Sequence, residues 1–247
     1  MSNLKEQATK ARLKILDLIY KAQSSHIGSN FSCVDILTTL FSKDTEIFNF
    51  KEDKFILSAG WKVATLYYFL QQNGRITEEE LNSYCQEGSK FIGLAEPITE
   101  DIIFAGGSMG LGLPASVGFA LAKKLKGENG KVFCLMSEAE CQSGTFNESI
   151  NIAKKYKLDN LKILIDINGL QAMGETKDIL PIEFGGNFYN GHSYEEIIKA
   201  LKSNEMIICF KTIKGKGVSF MENNNIWHYK APNEDEYIKA KEELCLK

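Results

Sequence analysis

Apolar residues recur three or four positions apart in two segments near the start of the chain. These segments are "LKEQATKARLKILDLIYKA" (4–22) and "SCVDILTTLF" (32–41). This spacing places the apolar side chains on one face of a helix, so both segments are predicted to be helices that pack on a core. The polar segment "QSSHIGSNF" (23–31) between them predicts a loop.

Four short apolar runs farther along the chain predict strands. They lie within "DKFILSAG" (53–60), "KVFCLM" (131–136), "NLKILIDI" (160–167) and "MIICFKTI" (206–213). Their apolar residues are consecutive rather than alternating, which is typical of strands buried on both faces of a sheet. The segment "NGLQAMGET" after the third run predicts a loop.

Helical segments with start and stop signals separate these strands. The helix "WKVATLYYFLQQNG" closes at Gly74, a helix after a glycine-rich turn stops at Gly127, and "SGTFNESINIAKKYKL" forms another. Pairs of capping residues three positions apart predict the starts of three more helices. These pairs are Thr77 and Glu80, Ser193 and Glu196, and Asn233 and Glu236.

The alternation of buried strands and helices predicts an α/β fold. We expect a doubly wound, mostly parallel sheet with helices on both faces. No linker rich in Pro, Ser or Gly divides the chain, so residues 1–247 are predicted to form a single domain. In such folds ligands bind beyond the carboxyl ends of the strands.

The composition and charge of the chain exclude several classes of function. Of the 247 residues, 44% are hydrophobic and 25% charged, with a net charge of −3 and no basic stripe, so neither nucleic acid nor an anionic membrane is an expected partner. No apolar stretch approaches the roughly 20 residues of a membrane helix. The N-terminus lacks the apolar centre of a secretory signal, and we expect a cytoplasmic protein.

The six cysteines include no CxxC pair, and no histidine stands at zinc-site spacing. In a reducing compartment, most are expected to be small buried hydrophobes.

The glycine-rich loop "GGSMGLG" (106–112) does not fit the GxGxxG fingerprint, and no GK[ST] follows it. This argues against an ordinary nicotinamide or ATP site, and thus against a dehydrogenase. The loop is consistent both with a ligand-binding turn and with a tight packing turn.

Polar residues follow two strands that we expect to be neighbours in the sheet. Glu138 in "SEAE" and Asn168 in "DINGLQ" lie 30 residues apart, which is enough for one helical crossover. Carboxylate and carboxamide oxygens suit Mg²⁺. Taken alone, however, the two residues are more typical of a solvated Glu and a turn Asn.

The chain has three histidines. His192, in the polar turn "NGHS", is interpreted as structural. His26 and His228 lie in predicted loops with small or polar neighbours, where a ring nitrogen is free to exchange protons or bind a hydroxyl.

Five segments together resemble transketolases in sequence and in order. The resemblance is to the N-terminal, thiamine-diphosphate-binding subunit of a split transketolase, and it covers roughly residues 10 to 245. The segments are "SSHIGSNFSCVDILTTLF", "DKFILSAGWKVATLYYFL", "GGSMGLGLPASVGFALAKKL", "KYKLDNLKILIDINGLQAMGET" and "KTIKGKGVSFMENNNIWHYKAPN".

The resemblance implies thiamine diphosphate held by a divalent cation, Mg²⁺ or alternatively Ca²⁺ or Mn²⁺. It implies that His26 and His228 are catalytic and face the substrate and the cofactor, and that Glu148 belongs to a proton network at a subunit interface. The remaining implied cofactor contacts are Gly107, Ser108, Met109, Glu138, Ala139 and Asn168. Glu138, Asn168 and the carbonyl of Leu170 are the implied metal ligands.

The chain departs from the family most clearly at the metal motif. Where the family has Gly-Asp-Gly, this chain has Ser137-Glu138-Ala139. The extra methylene of Glu138 moves its carboxylate outward, whereas Mg²⁺ demands near-ideal geometry at about 2.0–2.1 Å. The methyl of Ala139 also stands where a diphosphate would approach.

Other family positions are replaced as well. Trp61 stands in place of the histidine of a "KGH" motif, and Leu94 in place of a substrate-facing histidine. An interface glutamate is Ser143, and a loop glutamine is Leu111.

Two functions are consistent with this pattern. The first is a transketolase-like transferase subunit that moves a two-carbon ketol unit between sugar or sugar-phosphate substrates. It would be active only with a separate C-terminal, pyrimidine-binding chain, in a self-associating heterotetramer. The alternative is a catalytically silent subunit that keeps the fold and stabilises or regulates another protein.

Overall fold

The computed structural model describes residues 2–180 and 182–246, so the predicted domain ends, 1 and 247, lie outside the described residues. Within these ranges, a central sheet has the strand order β1-β2-β3-β7-β6, and every adjacent pair is parallel. Its strands are β1 (Lys54–Leu57), β2 (Val132–Ser137), β3 (Leu161–Ile167), β6 (Asn187–Asn190) and β7 (Ile207–Lys211). Strands β4 (Leu170–Gln171) and β5 (Gly174–Glu175) form a separate antiparallel hairpin.

Helices cover both faces of this sheet. The longer ones are α1 (Ser2–Ala22), α3 (Val34–Phe41), α4 (Val63–Gln72), α6 (Gly112–Lys126), α7 (Gly144–Lys155), α9 (Tyr194–Lys202) and α10 (Glu234–Cys245). The short ones are α2 (Ile27–Ser32), α5 (Glu78–Asn82) and α8 (Thr176–Ile179).

Two hydrophobic cores lie on opposite sides of the sheet because strand side chains alternate in direction. On β2, Phe133 and Leu135 belong to the core that includes residues of α1, α3, α4, α9 and α10. Val132, Cys134 and Met136 belong to the core beneath α6 and α7. The prediction of a doubly wound α/β fold is confirmed.

The predicted helix caps are largely present. Reciprocal capping boxes begin α5 at Thr77 and α10 at Asn233. At α9, the Ser193 side chain accepts from the Glu196 N–H, but the Glu196 carboxylate accepts from the Asn190 N–H at 2.7 Å rather than from the Ser193 N–H. This helix start is therefore linked to the preceding edge strand β6.

Two predicted loops contain regular structure, and one strand lies where the sequence predicted no element. Helix α2 occupies part of "QSSHIGSNF", and all of its residues are buried. Its polar groups are satisfied internally: the Asn30 Nδ2 donates to the carbonyls of His26 at 3.0 Å and Trp61 at 3.2 Å. The prediction of a loop from the polarity of this segment was therefore wrong. The β4–β5 hairpin lies in "NGLQAMGET", and β6 has too few apolar positions to be recognised from its pattern.

The cysteines follow the compositional expectation in part. All six are free thiols. Cys33, Cys134, Cys141 and Cys209 are buried, Cys85 is half-buried and Cys245 is exposed.

None of the helices in the described part of the chain combines the length and apolarity that a membrane-spanning segment needs.

Candidate active site

A cavity of about 420 Å³ lies at the carboxyl ends of the central strands. The β2 and β3 ends contribute Glu138 and Asn168, and the turn before α2 and the segment after β7 contribute His26 and His228. Other lining residues are Ser29, Trp61, Lys62, Gly107, Met109, Ser137, Ala139, Gln142, Leu170, Gln171, Ala172, Met173 and Tyr229. The fold thus brings together most of the residues selected from the sequence.

The "SEAE" turn is a capping box that leads from β2 into a short 3₁₀ turn. The Glu140 carboxylate is fully buried and accepts hydrogen bonds from the Ser137 N–H at 2.8 Å, the Gly110 N–H at 3.1 Å and the Ser58 hydroxyl at 2.5 Å. Neither Ser137 nor Ala139 has a positive φ. Glycine is therefore not required by the backbone here, and Glu140 joins three loops of the cavity wall.

Glu138 and Asn168 are neighbours at the edge where β2 and β3 end. The Glu138 carboxylate accepts a hydrogen bond from the Gly169 N–H, and the Asn168 Oδ1 accepts from the Leu170 N–H at 3.1 Å. Burial of Glu138, which is 5% exposed, together with repulsion by Asp166, raises its pKa to about 6. The site therefore disfavours a bare carboxylate and would gain from a cation beside it.

His26 and His228 form a pair in the cavity. Their ring centroids lie 5.1 Å apart, and the backbone N–H of His26 donates to the backbone carbonyl of His228 at 3.0 Å. The Tyr229 ring lies 4.6 Å from His228 and 5.7 Å from His26, while Trp61 lies 6.2 Å from His26. Burial, and secondarily the charge of Lys214, lowers the pKa of both histidines to about 4. Both rings are therefore neutral near pH 7.

Two buried lysines that the sequence interpretation missed flank the histidines and the strand ends. The Lys214 Nζ contacts the His228 Nδ1 at 2.8 Å, and burial lowers the pKa of Lys214 to about 8. Lys62 forms an ion pair with Asp166, and neither side chain is exposed. Burial alone would lower the pKa of Lys62, but attraction by Asp166 outweighs it and the pKa is raised.

Two sequence patterns could have predicted the buried ion pair and the role of Glu140. Asp166 is a charged residue within the apolar run "ILIDI", and a carboxylate in a buried strand requires a buried partner. Ser137 and Glu140 have the S-x-x-E spacing of a capping box. The choice of Lys62 as the partner of Asp166 has no sequence signal, because the two residues are 104 positions apart.

The glycine-rich loop serves both purposes considered for it. A Cβ on Gly106 would lie 2.5 Å from the Leu57 carbonyl oxygen, so that glycine allows tight packing. A Cβ on Gly107 would meet nothing within 4 Å, and Gly107 and Met109 line the cavity. Ser108 is exposed and does not line it. Gly106 thus allows tight packing, and the next residue, Gly107, forms part of the cavity wall.

Glu148 lies apart from the cavity. It is exposed on α7, and the exposed apolar side chains of Ile152 and Tyr156 follow it at four-residue spacing; Phe119 is exposed on α6. Leu94, at the position of a family histidine, does not line the cavity either, and its carbonyl accepts from the Tyr67 hydroxyl at 3.5 Å.

Comparison with known proteins identifies the family. The protein-family model described as "Transketolase, thiamine diphosphate binding domain" matches residues 4–247. The chain belongs to this transketolase family.

Named relatives agree with this assignment. An apulose-4-phosphate transketolase subunit of Phocaeicola vulgatus is 31% identical, over 99% of this chain and 94% of that protein. The protein of the same name from Actinobacillus succinogenes is 33% identical, over 98% and 95%. Transketolase from Campylobacter jejuni superimposes with a TM-score of 0.88 at 30% identity, over 99% of this chain but 43% of that one. The prediction of a transketolase-like transferase subunit is confirmed at the level of family and enzyme type.

The residues of this transketolase-family cavity fit thiamine diphosphate and a cation. Glu138 and Asn168 supply hard oxygen donors at one end, and Lys62 lines the cavity. The buried Lys214 ammonium does not line it but contacts the His228 Nδ1. Among the described residues, no group of three or more His, Cys, Asp or Glu side chains is placed to hold a metal. A cation in this cavity would therefore rely on one carboxylate and on neutral oxygens.

Proposed function

We propose that this chain is the cofactor-binding subunit of an enzyme that transfers a two-carbon ketol unit between sugar-type substrates. One observation carries the proposal: a single cavity combines oxygen donors for a cation with a pair of neutral histidines. The names of the relatives favour a sugar phosphate as substrate. Residues 1–247 would act as one domain, and the free cysteines are consistent with a cytoplasmic enzyme.

In this proposal Glu138, Asn168 and the Leu170 carbonyl hold a divalent cation, which is Mg²⁺, Mn²⁺ or Ca²⁺. The raised pKa of Glu138 supports this arrangement, because a cation would stabilise the buried carboxylate. Gly107, Met109 and Ala139 would line the cofactor, whereas Ser108, also implied by the resemblance, lies outside the cavity.

Thiamine diphosphate, when bound, supplies the carbanion stabilisation needed to break and form carbon–carbon bonds. His26 and His228 would bind substrate hydroxyls and transfer protons, since a neutral imidazole carries both a donor and an acceptor nitrogen. Lys214 occupies the His228 Nδ1, which leaves the Nε2–H as the donor of that ring. Trp61 and Tyr229 would exclude water beside the pair.

A separate C-terminal chain would complete the site. The two relatives from Phocaeicola vulgatus and Actinobacillus succinogenes are each named as one subunit of a transketolase, which supports a second component. The outer face of α7 is a candidate contact, because the exposed apolar side chains of Ile152 and Tyr156 follow Glu148 at four-residue spacing. Phe119 on α6 is also exposed. With self-association, the assembly would be a heterotetramer.

The alternative is a catalytically silent subunit. It is favoured by Trp61, which lines the cavity at the position of a family histidine, and by Ala139, whose Cβ takes up space at the proposed diphosphate end. The two functions differ in whether the cavity binds the cofactor.

Cofactor binding tests the proposal. Thiamine diphosphate is titrated calorimetrically into the chain with Mg²⁺, Mn²⁺ or Ca²⁺, alone and with its co-expressed partner. Glu138→Ala should weaken metal-dependent binding more than about tenfold, because it removes the charged ligand, whereas Glu138→Asp should retain it. Glu195→Ala, on the exposed surface of α9, is the matched control and should bind normally.

Absence of binding under every condition would favour the silent subunit. Normal affinity of the Glu138→Ala variant would show that the cation lies elsewhere.

A further inference from the structure

A network of buried and half-buried polar side chains extends from α1 to the segment that precedes Lys214. It begins with a bidentate ion pair, in which the Arg12 Nη1 donates to the Asp35 Oδ1 at 3.0 Å and the Arg12 Nη2 donates to the Asp35 Oδ2 at 2.7 Å. Both residues are buried. The Tyr194 hydroxyl donates to the Asp35 Oδ1 at 2.9 Å. Asp35 is thereby held in one orientation.

His192 connects this ion pair to the backbone after β7. Its Nδ1 contacts the Asp35 Oδ2 at 2.7 Å, and its Nε2 lies 2.9 Å from the Ile213 nitrogen, whose N–H it accepts. An Nε2 that accepts cannot carry a proton, so the proton is on Nδ1 and is donated to Asp35. The ring thus has one defined tautomer and one defined orientation.

The Ile213 N–H lies one residue before Lys214. The segment is also held by the Gly215 N–H, which donates to the Gly28 carbonyl at 2.9 Å, and by the Asn223 N–H, which donates to the Lys214 carbonyl at 2.9 Å. The fully buried Lys214 side chain then reaches the His228 Nδ1 at 2.8 Å. The orientation of His228 therefore depends on where this backbone segment lies.

We propose that His192 is a positioning residue. Its Nε2 holds the Ile213 N–H so that the Lys214 ammonium meets the His228 Nδ1 and the opposite ring nitrogen of His228 faces the cavity. The importance of this contact for catalysis rests on the proposed function, but the contact itself does not. His192 is therefore more than a residue of a polar turn, although it touches neither substrate nor cofactor.

The physical reason is that the His192 Nε2 accepts the Ile213 N–H, so replacing His192 by an apolar residue removes this acceptor. The bond is partly buried, and an N–H shielded from water without an acceptor costs free energy, so the backbone would shift to reach water or another acceptor. Such a shift would carry Lys214 away from His228. Besides Lys214, the groups facing His228 are His26 and Tyr229, and neither contacts His192.

The chain is well suited to a direct test, because it has only three histidines. In the unmodified chain, ¹⁵N NMR of the imidazoles should show His192 protonated on Nδ1, with the Ile213 amide strongly protected from hydrogen exchange. An Nε2-protonated His192 would overturn the proposal. This measurement needs no variant and no cofactor.

Variants then test the consequence for His228. In His192→Phe, exchange of the Ile213 amide should accelerate at least tenfold. The His228 pKa should rise above about 4 as Lys214 withdraws, while burial, the larger cause, keeps it below 6.5. His192→Gln keeps a carbonyl acceptor and should stay close to the original values. Tyr194→Phe removes a different hydrogen bond to Asp35 and should leave the His228 titration unchanged.

Equal His228 titration in the Phe variant and the unmodified chain would refute the positioning role. Failure of the chain to bind thiamine diphosphate would leave these NMR results unaffected, so the two proposals fail separately.

Discussion

At the scale of single residues, the site depends on charges removed from water. The clearest case is Lys62, whose side chain has no exposure and whose only carboxylate partner at ion-pair distance among the described residues is Asp166. Ser32 also donates to Asp166 at 2.5 Å, as does Thr212. Removing one member of such a pair leaves the other charge buried without its counter-ion.

We therefore expect Lys62→Met to lower the free energy of unfolding by about 3–5 kcal/mol, measured by urea denaturation. The double variant Lys62→Met/Asp166→Asn should recover much of this loss, because no unpaired charge remains. Lys10→Met, which breaks the exposed pair with Glu6, is the control and should leave the midpoint unchanged. A Lys62→Met variant as stable as that control would show that the buried ion pair does not contribute to stability.

At the scale of elements, helix α6 shows how close packing and open surface meet in one segment. A Cβ on Gly112, its first residue, would lie 2.4 Å from the Ser58 Cβ, next to the loop that Glu140 holds. Gly118, in the same helix, is exposed, and a Cβ there would meet nothing within 4 Å. The two glycines are alike in the sequence but differ in what surrounds them.

Gly112→Ala should thus destabilise the chain by about 1–3 kcal/mol, because the helix start must move away from Ser58. Gly118→Ala should stabilise it by roughly 0.5–1 kcal/mol, because alanine loses less backbone entropy in a helix. Thermal and urea unfolding of the two variants measure this difference. Destabilisation by both substitutions would contradict the distinction between the two positions.

At the scale of the whole molecule, burial of the cavity groups couples folding to pH. The pKa values of His26 and His228 fall from 6.5 to about 4 on folding, so their contribution to stability is complete above pH 6.5 and is lost as pH falls to 4. Glu138 acts in the opposite direction. Its pKa rises from 4.5 to about 6, so its contribution is complete below pH 4.5 and is lost as pH rises through 6.

The stability lost by the two histidines as pH falls exceeds the stability gained by the one carboxyl group. We therefore expect the cofactor-free chain to lose stability when pH falls from 7 to 4.5. Urea unfolding at half-unit pH steps measures the slope. His228→Asn should flatten it, whereas Glu138→Gln should steepen it by removing the opposing contribution. A slope of the reverse sign would show that these histidines are solvated in the folded chain.

The order of the longer helices and of strands β1, β2, β3 and β7, the two-faced sheet and most of the caps were determined by the sequence itself, because local periodicity and capping chemistry act over a few residues. The nearness of Glu138 and Asn168 also followed, since carboxyl ends of neighbouring parallel strands share an edge. The loop context selected His26 and His228, and the family resemblance implied their catalytic role; the structure then places their ring centroids 5.1 Å apart.

Only the tertiary structure decided the partners of the buried charges. Lys62 with Asp166, Lys214 with His228 and His192 with Ile213 join segments between 14 and 104 residues apart. No local pattern specifies such pairs, because a buried charge demands some partner without determining which one. The "SEAE" turn shows the same division: its capping spacing is local, while the role of Glu140 in joining three loops arises only from the fold.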